Sequence, residues 1–177
     1  MQRKIRWGLM GAGKIVNRWI RGARQLEDME IVAVASRTME TSRNASTHFR
    51  VPEALTYEAL VNREDIDVVY IPVPHNAHKE LAVLAMEHGK SVLVEKPAAI
   101  NTDELQEMID CARKNKVFFM EAVWTRFFPM IERIRHLIGE DGIGDVRAIN
   151  CAFSYRTPDI ALQGRTTNIN LAGGGLL

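Results

Sequence analysis

Along the first 122 residues, short apolar runs alternate with longer stretches whose apolar positions recur at three- and four-residue spacing. Ile5 to Met10, Ile31 to Ala35, Asp67 to Val73, Ser91 to Glu95 and Val117 to Ala122 read as buried strands. Between them, helices are predicted from Ile15 to about Gln25, over Met39 to Phe49, briefly over Tyr57 to Val61, and over Ala77 to His88, where Gly89 stops the chain. Asn101 or Thr102 caps one more helix, with Glu104 in its first turn, that runs to about Asn115. Such alternation calls for an α/β fold, a doubly wound parallel sheet covered by helices. Right-handed crossovers put the ligand crevice at the carboxyl ends of its strands.

After residue 122 the pattern changes. Thr125 to Ile138 predicts a helix carrying Arg126, Arg133, Arg135 and His136, closed by a glycine-rich turn from Gly139 to Gly144. Val146 to Tyr155 then alternates like a strand of a half-exposed sheet. We therefore expect one complete unit over residues 1–122 and the beginning of another over 123–177.

Composition narrows the partners. A net charge of +1 gives no reason to expect nucleic acid or an acidic membrane surface. Cys111 and Cys151 lie far apart and match no metal or redox spacing, so reduced cytoplasmic thiols are expected. The amino terminus, Met1 to Lys4, leads directly into the first strand without a signal-like apolar stretch. A soluble cytoplasmic protein is the expectation.

The candidate chemistry begins where the first strand drops into Gly11-Ala12-Gly13-Lys14-Ile15. Glycines at 11 and 13 allow a tight turn and close approach to a pyrophosphate, whose charge then sits at the amino end of the next helix. Val16 holds the position where a third small residue is usual, so the context of strand, bend and helix carries the signal. The second strand ends at Ser36-Arg37, a hydroxyl and a cation where a carboxylate would read a free ribose 2′-hydroxyl. That pair suits a 2′-phosphate and points to NADP rather than NAD.

Two further loops lie on the same edge. Glu95-Lys96-Pro97 ends the strand from Ser91, so Lys96 should face what the nucleotide delivers, with Pro97 restraining its backbone. A lysine beside a cationic nicotinamide can donate a proton or hydrogen bond to a developing alkoxide. Val73-Pro74-His75, followed by His78, forms the other wall. The two histidines have a spacing compatible with metal ligation, but no third ligand follows, so no metal is expected. His78 alternatively caps or orients the loop. Trp124 and Arg126, in Glu121 to Pro129, are either interdomain core or a lid over the nicotinamide.

These segments, taken as Gly8 to Ile15, Ser36-Arg37, Val73-Pro74-His75 with His78, Glu95-Lys96-Pro97 and Glu121 to Pro129, carry a resemblance. The chain resembles the glucose–fructose oxidoreductase / inositol dehydrogenase family of NAD(P)-dependent sugar and diol oxidoreductases. Within it, the similarity is to the branch of dimeric dihydrodiol dehydrogenases and NADP-dependent xylose dehydrogenases. The resemblance implies a Rossmann domain over 1–122 that binds NADP through Gly11, Gly13, Lys14, Ile15, Ser36, Arg37, Val73, Pro74, His75, His78, Glu95, Lys96, Trp124 and Arg126. It also implies Lys96 as catalytic residue, a sugar or cyclic diol substrate facing Trp124 and Phe153, and an α+β antiparallel-sheet domain used for homodimerisation in the full-length form. In that family the stretch matching Gly173 to Leu177 is followed by an aspartate, then a tyrosine or histidine, which share the acid–base chemistry. The sequence stops before them, so a catalytically incomplete NADP-binding module is the alternative expectation. A short-chain dehydrogenase is excluded, because Tyr57, Tyr70 and Tyr155 each lack a lysine four residues on.

Overall fold

The computed structural model of the chain describes residues 3–152 and Ser154. Six strands form one parallel sheet: β1 Ile5–Met10, β2 Met29–Ala35, β3 Glu53–Leu55, β4 Val68–Ile71, β5 Ser91–Val94 and β6 Phe119–Glu121. Their spatial order is β3-β2-β1-β4-β5-β6. The order reverses beside β1, and a crevice opens there beyond the carboxyl ends of β1 and β4. This is a Rossmann fold.

The helices are α1 Val16–Ala23, α2 Met39–Phe49, α3 Tyr57–Val61, α4 His78–Glu87, α5 Thr102–Asn115 and α6 Pro129–Gly139. Asn101 is the cap of α5, its side chain accepting from the Glu104 amide at 2.8 Å. Side chains alternate across the sheet, and both sets are buried. Met10, Ala33, Ala35, Val69 and Ile71 join the core with Leu60, Leu81 and Met108. Leu9, Val34 and Tyr70 pack on the other face with Val16, Ile20 and Phe49.

Three readings of the sequence are corrected. β3 was absent from the apolar pattern: three half-buried residues beside β2 are too few to show a period. The helix expected over Thr125 to Ile138 is two pieces, a 3₁₀ turn over Trp124–Phe127 and then α6. Pro129 separates them, because proline suits a first helical position and disfavours helix in the residue before it. No strand forms over residues 146–152. Alternation only states which face a strand would bury; a strand also needs a neighbour to bond, and among the described residues no strand pairs with this segment. Phe153 and Gly173 to Leu177 lie outside the described residues.

Candidate cofactor site

Gly11 leaves β1 with its amide donating to the Ala35 carbonyl at 2.8 Å, which docks the bend against the end of β2. Its φ of +127° belongs to a region that side chains rarely enter. A Cβ at Gly11 would lie 2.7 Å from Val73 Cγ1, and one at Gly13 would lie 2.7 Å from the Pro72 carbonyl oxygen. The glycines are therefore required by the protein itself: the bend is pressed onto the chain leaving β4. That packing is what closes one side of the cleft.

The cleft has a volume of about 580 Å³ and is lined by Gly13, Lys14, Ile15, Pro72, Val73, Pro74, His75, Glu95 and Lys96. Three loops from separate parts of the chain meet here because parallel strands all deliver their carboxyl ends to the same edge. Two ammonium-bearing residues, Lys14 and Lys96, and one carboxylate, Glu95, line it together. With the paired-glycine bend leading into α1, whose first turn carries no acidic residue, the donor set fits an anionic dinucleotide.

Ser36 and Arg37 lie next to Gly11, beyond the end of β2. Neither lines the cleft itself. The Ser36 amide donates to Ser42 Oγ at 2.8 Å, and Ser42 is fully buried, so the turn after β2 is anchored to α2. Tyr57, at the start of α3, brings its hydroxyl to Ser36. Burial pushes its phenol pKa up, against the opposing pull of that hydrogen bond and of the Arg37 charge. Sequence reading missed Tyr57, because only the pairing of β2 with β3 brings it beside Ser36.

At the other end, Tyr70 donates to Glu95 Oε1 at 2.6 Å, and Glu95 Oε2 lies 3.3 Å from the Lys96 amide. The Lys96–Pro97 peptide is cis. Glu121, on the edge strand, accepts from the Ala98 amide at 2.9 Å and so holds the chain just beyond Lys96.

The expectation that His78 touches the cofactor is corrected. His78 is fully buried, with Nε2 3.0 Å from the Val73 carbonyl and Nδ1 2.9 Å and 3.2 Å from those of Pro97 and Ala98. A neutral imidazole has one ring N–H, so it donates to one wall of the cleft while the ring packs against the other, the loop-orienting alternative. Burial lowers its pKa, opposed by the three carbonyls. His75 lines the cleft with its ring 5.4 Å from that of His78. Among the described residues, no three His, Cys, Asp or Glu side chains converge as a metal site would need.

Trp124 and Arg126 are not in the cleft wall. Trp124 lies under the Arg18 guanidinium, 4.6 Å away, and borders an apolar hollow of about 610 Å³ on the sheet face, with Trp7, Trp19, Tyr70, Phe118 and Met120. That lining is mostly apolar, with Arg18 as its one cation, so the hollow and the cleft differ in chemistry although Ile15 and Glu95 border both. Arg126 is exposed on the 3₁₀ turn.

The model of an oxidoreductase family with an NAD-binding Rossmann fold, GFO/IDH/MocA, matches residues 5–123. The chain belongs to this oxidoreductase family. Similar GFO/IDH/MocA relatives include the trans-1,2-dihydrobenzene-1,2-diol dehydrogenases of Xenopus tropicalis, 39% identical, and Mus musculus, 38% identical. The matches cover 97% and 98% of this chain but 52% of each relative, so the chain spans about half their length. Among solved structures, it is similar to KijD10, a 3-ketoreductase from Actinomadura kijaniata in complex with NADP and TDP-benzene. That likeness has a TM-score of 0.84 and 25% identity, covering 98% of this chain and 54% of that one. An NAD-binding oxidoreductase from Klebsiella pneumoniae gives a TM-score of 0.76 at 26% identity, covering 80% and 40%. Among the described residues, no helix is long and apolar enough to cross a membrane.

Proposed function

We propose that this chain is the nucleotide-binding part of an NADP-dependent dehydrogenase acting on a carbinol carbon of a sugar or cyclic diol. The observation that carries the reading is the cleft itself, which gathers the glycine bend, the β4 exit and Glu95-Lys96 at the point where strand order reverses. Gly11, Gly13 and the amino end of α1 take the pyrophosphate, with Lys14 alongside. Ser36 and Arg37 take the 2′-phosphate. Val73, Pro74 and His75 wall the nicotinamide end. When bound, the nicotinamide supplies or accepts the hydride at its carbon 4. Lys96 is the catalytic residue, donating a hydrogen bond to the substrate oxygen as charge develops on it.

Residues 1–122 form the dinucleotide-binding domain in this reading, and 123–177 begin a substrate and dimerisation domain in which Trp124, Arg126 and Phe153 approach the nicotinamide or substrate. The two free thiols, Cys111 and Cys151, support a cytoplasmic setting. The whole protein takes a small-molecule substrate and is a homodimer; neither a membrane nor a nucleic-acid partner is proposed.

Calorimetric titration with NADPH and NADH tests the cofactor assignment. Arg37→Ala is expected to weaken NADPH binding by about 1.5–3 kcal/mol, the worth of a hydrogen bond to a charged group. NADH binding should barely change, and equal losses for both would refute the 2′-phosphate assignment. Turnover assays on dihydrodiols and pentoses then separate an enzyme from the second reading, an NADP-binding module without turnover.

A further inference from the structure

We infer that Tyr70 is a positioning residue that holds the Glu95 carboxylate at the nicotinamide end of the cleft, and so sets the preference of the site between oxidised and reduced cofactor. The inference rests on the cofactor reading above. Three observations carry it. First, Tyr70 is fully buried, yet its hydroxyl reaches Glu95 Oε1 at 2.6 Å. Its ring stacks on Trp19 with centroids 4.5 Å apart and planes at 15°, and Trp19 in turn packs on Trp7 at 5.3 Å. The donor therefore sits on a stiff aromatic stack. Second, the β4–β5 register makes the contact obligatory: Tyr70 pairs with Leu93, so Glu95 is its diagonal neighbour on the same face. Third, Glu95 borders both the apolar hollow and the cleft, so one flank of the carboxylate meets low-dielectric surroundings where a charge acts strongly.

The direction of the effect follows from charge. With the adenosine at Ser36 and the pyrophosphate at the glycine bend, the nicotinamide falls beside Glu95 and Lys96. An oxidised ring is cationic and a reduced one neutral. A held carboxylate attracts only the oxidised ring and offsets the opposite effect of Lys96. Burial first, and then the bond to Glu95, pushes the Tyr70 phenol pKa up, so the hydroxyl stays a donor. If that bond is lost, the carboxylate swings toward solvent and its charge is screened.

The test is binding of three ligands to the full chain: NADP⁺, NADPH and 2′-phospho-ADP-ribose, which carries the same phosphates without a nicotinamide. Tyr70→Phe keeps the ring and its stack and removes one hydroxyl. The affinity ratio of NADP⁺ to NADPH is expected to fall about three- to tenfold, the loss of one charge-assisted bond partly screened. Affinity for 2′-phospho-ADP-ribose should hold, which reports an intact fold. Glu95→Gln should lower the ratio similarly, and adding Tyr70→Phe to it should change nothing more. An unchanged ratio in Tyr70→Phe overturns the inference, as does an equal fall for all three ligands. Failure of the parent chain to bind any of them overturns the cofactor reading and this inference with it, a distinct result.

Discussion

Gly13→Ala is expected to lower stability by about 1–3 kcal/mol, the cost of forcing an extra methyl into a packed site, and to lower NADPH affinity with it. The new Cβ would stand 2.7 Å from the Pro72 carbonyl oxygen, closer than real Cβ contacts come. A flexible side chain could swing away, but this neighbour is backbone. It belongs to a proline with a fixed φ, in a chain that His78 anchors one residue later through the Val73 carbonyl. Either the glycine bend or the β4 exit must therefore move, and both are walls of the cleft. Gly22→Ala is the internal control, since nothing lies within 4 Å of a Cβ there and the residue is inside α1. It should raise stability by about 0.5–1 kcal/mol. Urea unfolding of both variants with calorimetric NADPH titration provides the check. A Gly13→Ala protein as stable as its parent would mean that the two loops are not packed as described.

His78→Leu should cost about 1–3 kcal/mol, because a neutral imidazole has one ring N–H and its loss leaves the buried carbonyl it serves without a donor. The histidine spans the Val73 carbonyl on one loop and those of Pro97 and Ala98 on the other. Leucine fills similar space and bonds to neither. The penalty also depends on pH. Burial holds the folded-state pKa of His78 below its unfolded value of about 6.5. As pH falls, the unfolded chain takes up the proton first, so this contribution is complete above the unfolded pKa and lost as pH drops toward the folded one. The stability gap between parent and variant should accordingly narrow in acid. Urea midpoints measured at neutral pH and again well below 6.5 decide it; a gap that stays constant, or widens in acid, would contradict the burial of a neutral imidazole.

Much of the fold was legible because its code is local. The strand at Ile5 to Met10, the bend at Gly11 to Gly13 and the helix after it follow from apolar period and glycine freedom within some twenty residues. The Asn101 cap reads the same way, from a side chain and an amide three residues apart. β3 escaped notice because a three-residue strand has no period to detect. The segment from Val146 misled in the opposite sense: its alternation is real, but pairing is a property of two segments and not of one.

The site divides along the same line. The amino-acid order alone determined which residue types stand at the strand ends: paired glycines after β1, hydroxyl and guanidinium after β2, a lysine after β5. Those positions face one edge in any parallel sheet, so the chemistry of the crevice was readable before its shape. Only the tertiary structure decided what holds these groups in place. Tyr70 meets Glu95 and Glu121 meets Ala98 through contacts 25 and 23 residues apart in sequence. His78 turns its ring inward between two loops instead of outward to a ligand. Such partners depend on strand register and on which side chain finds an unsatisfied carbonyl in the dry interior. Both are set by the whole packed chain at once, and no short window of residues contains them.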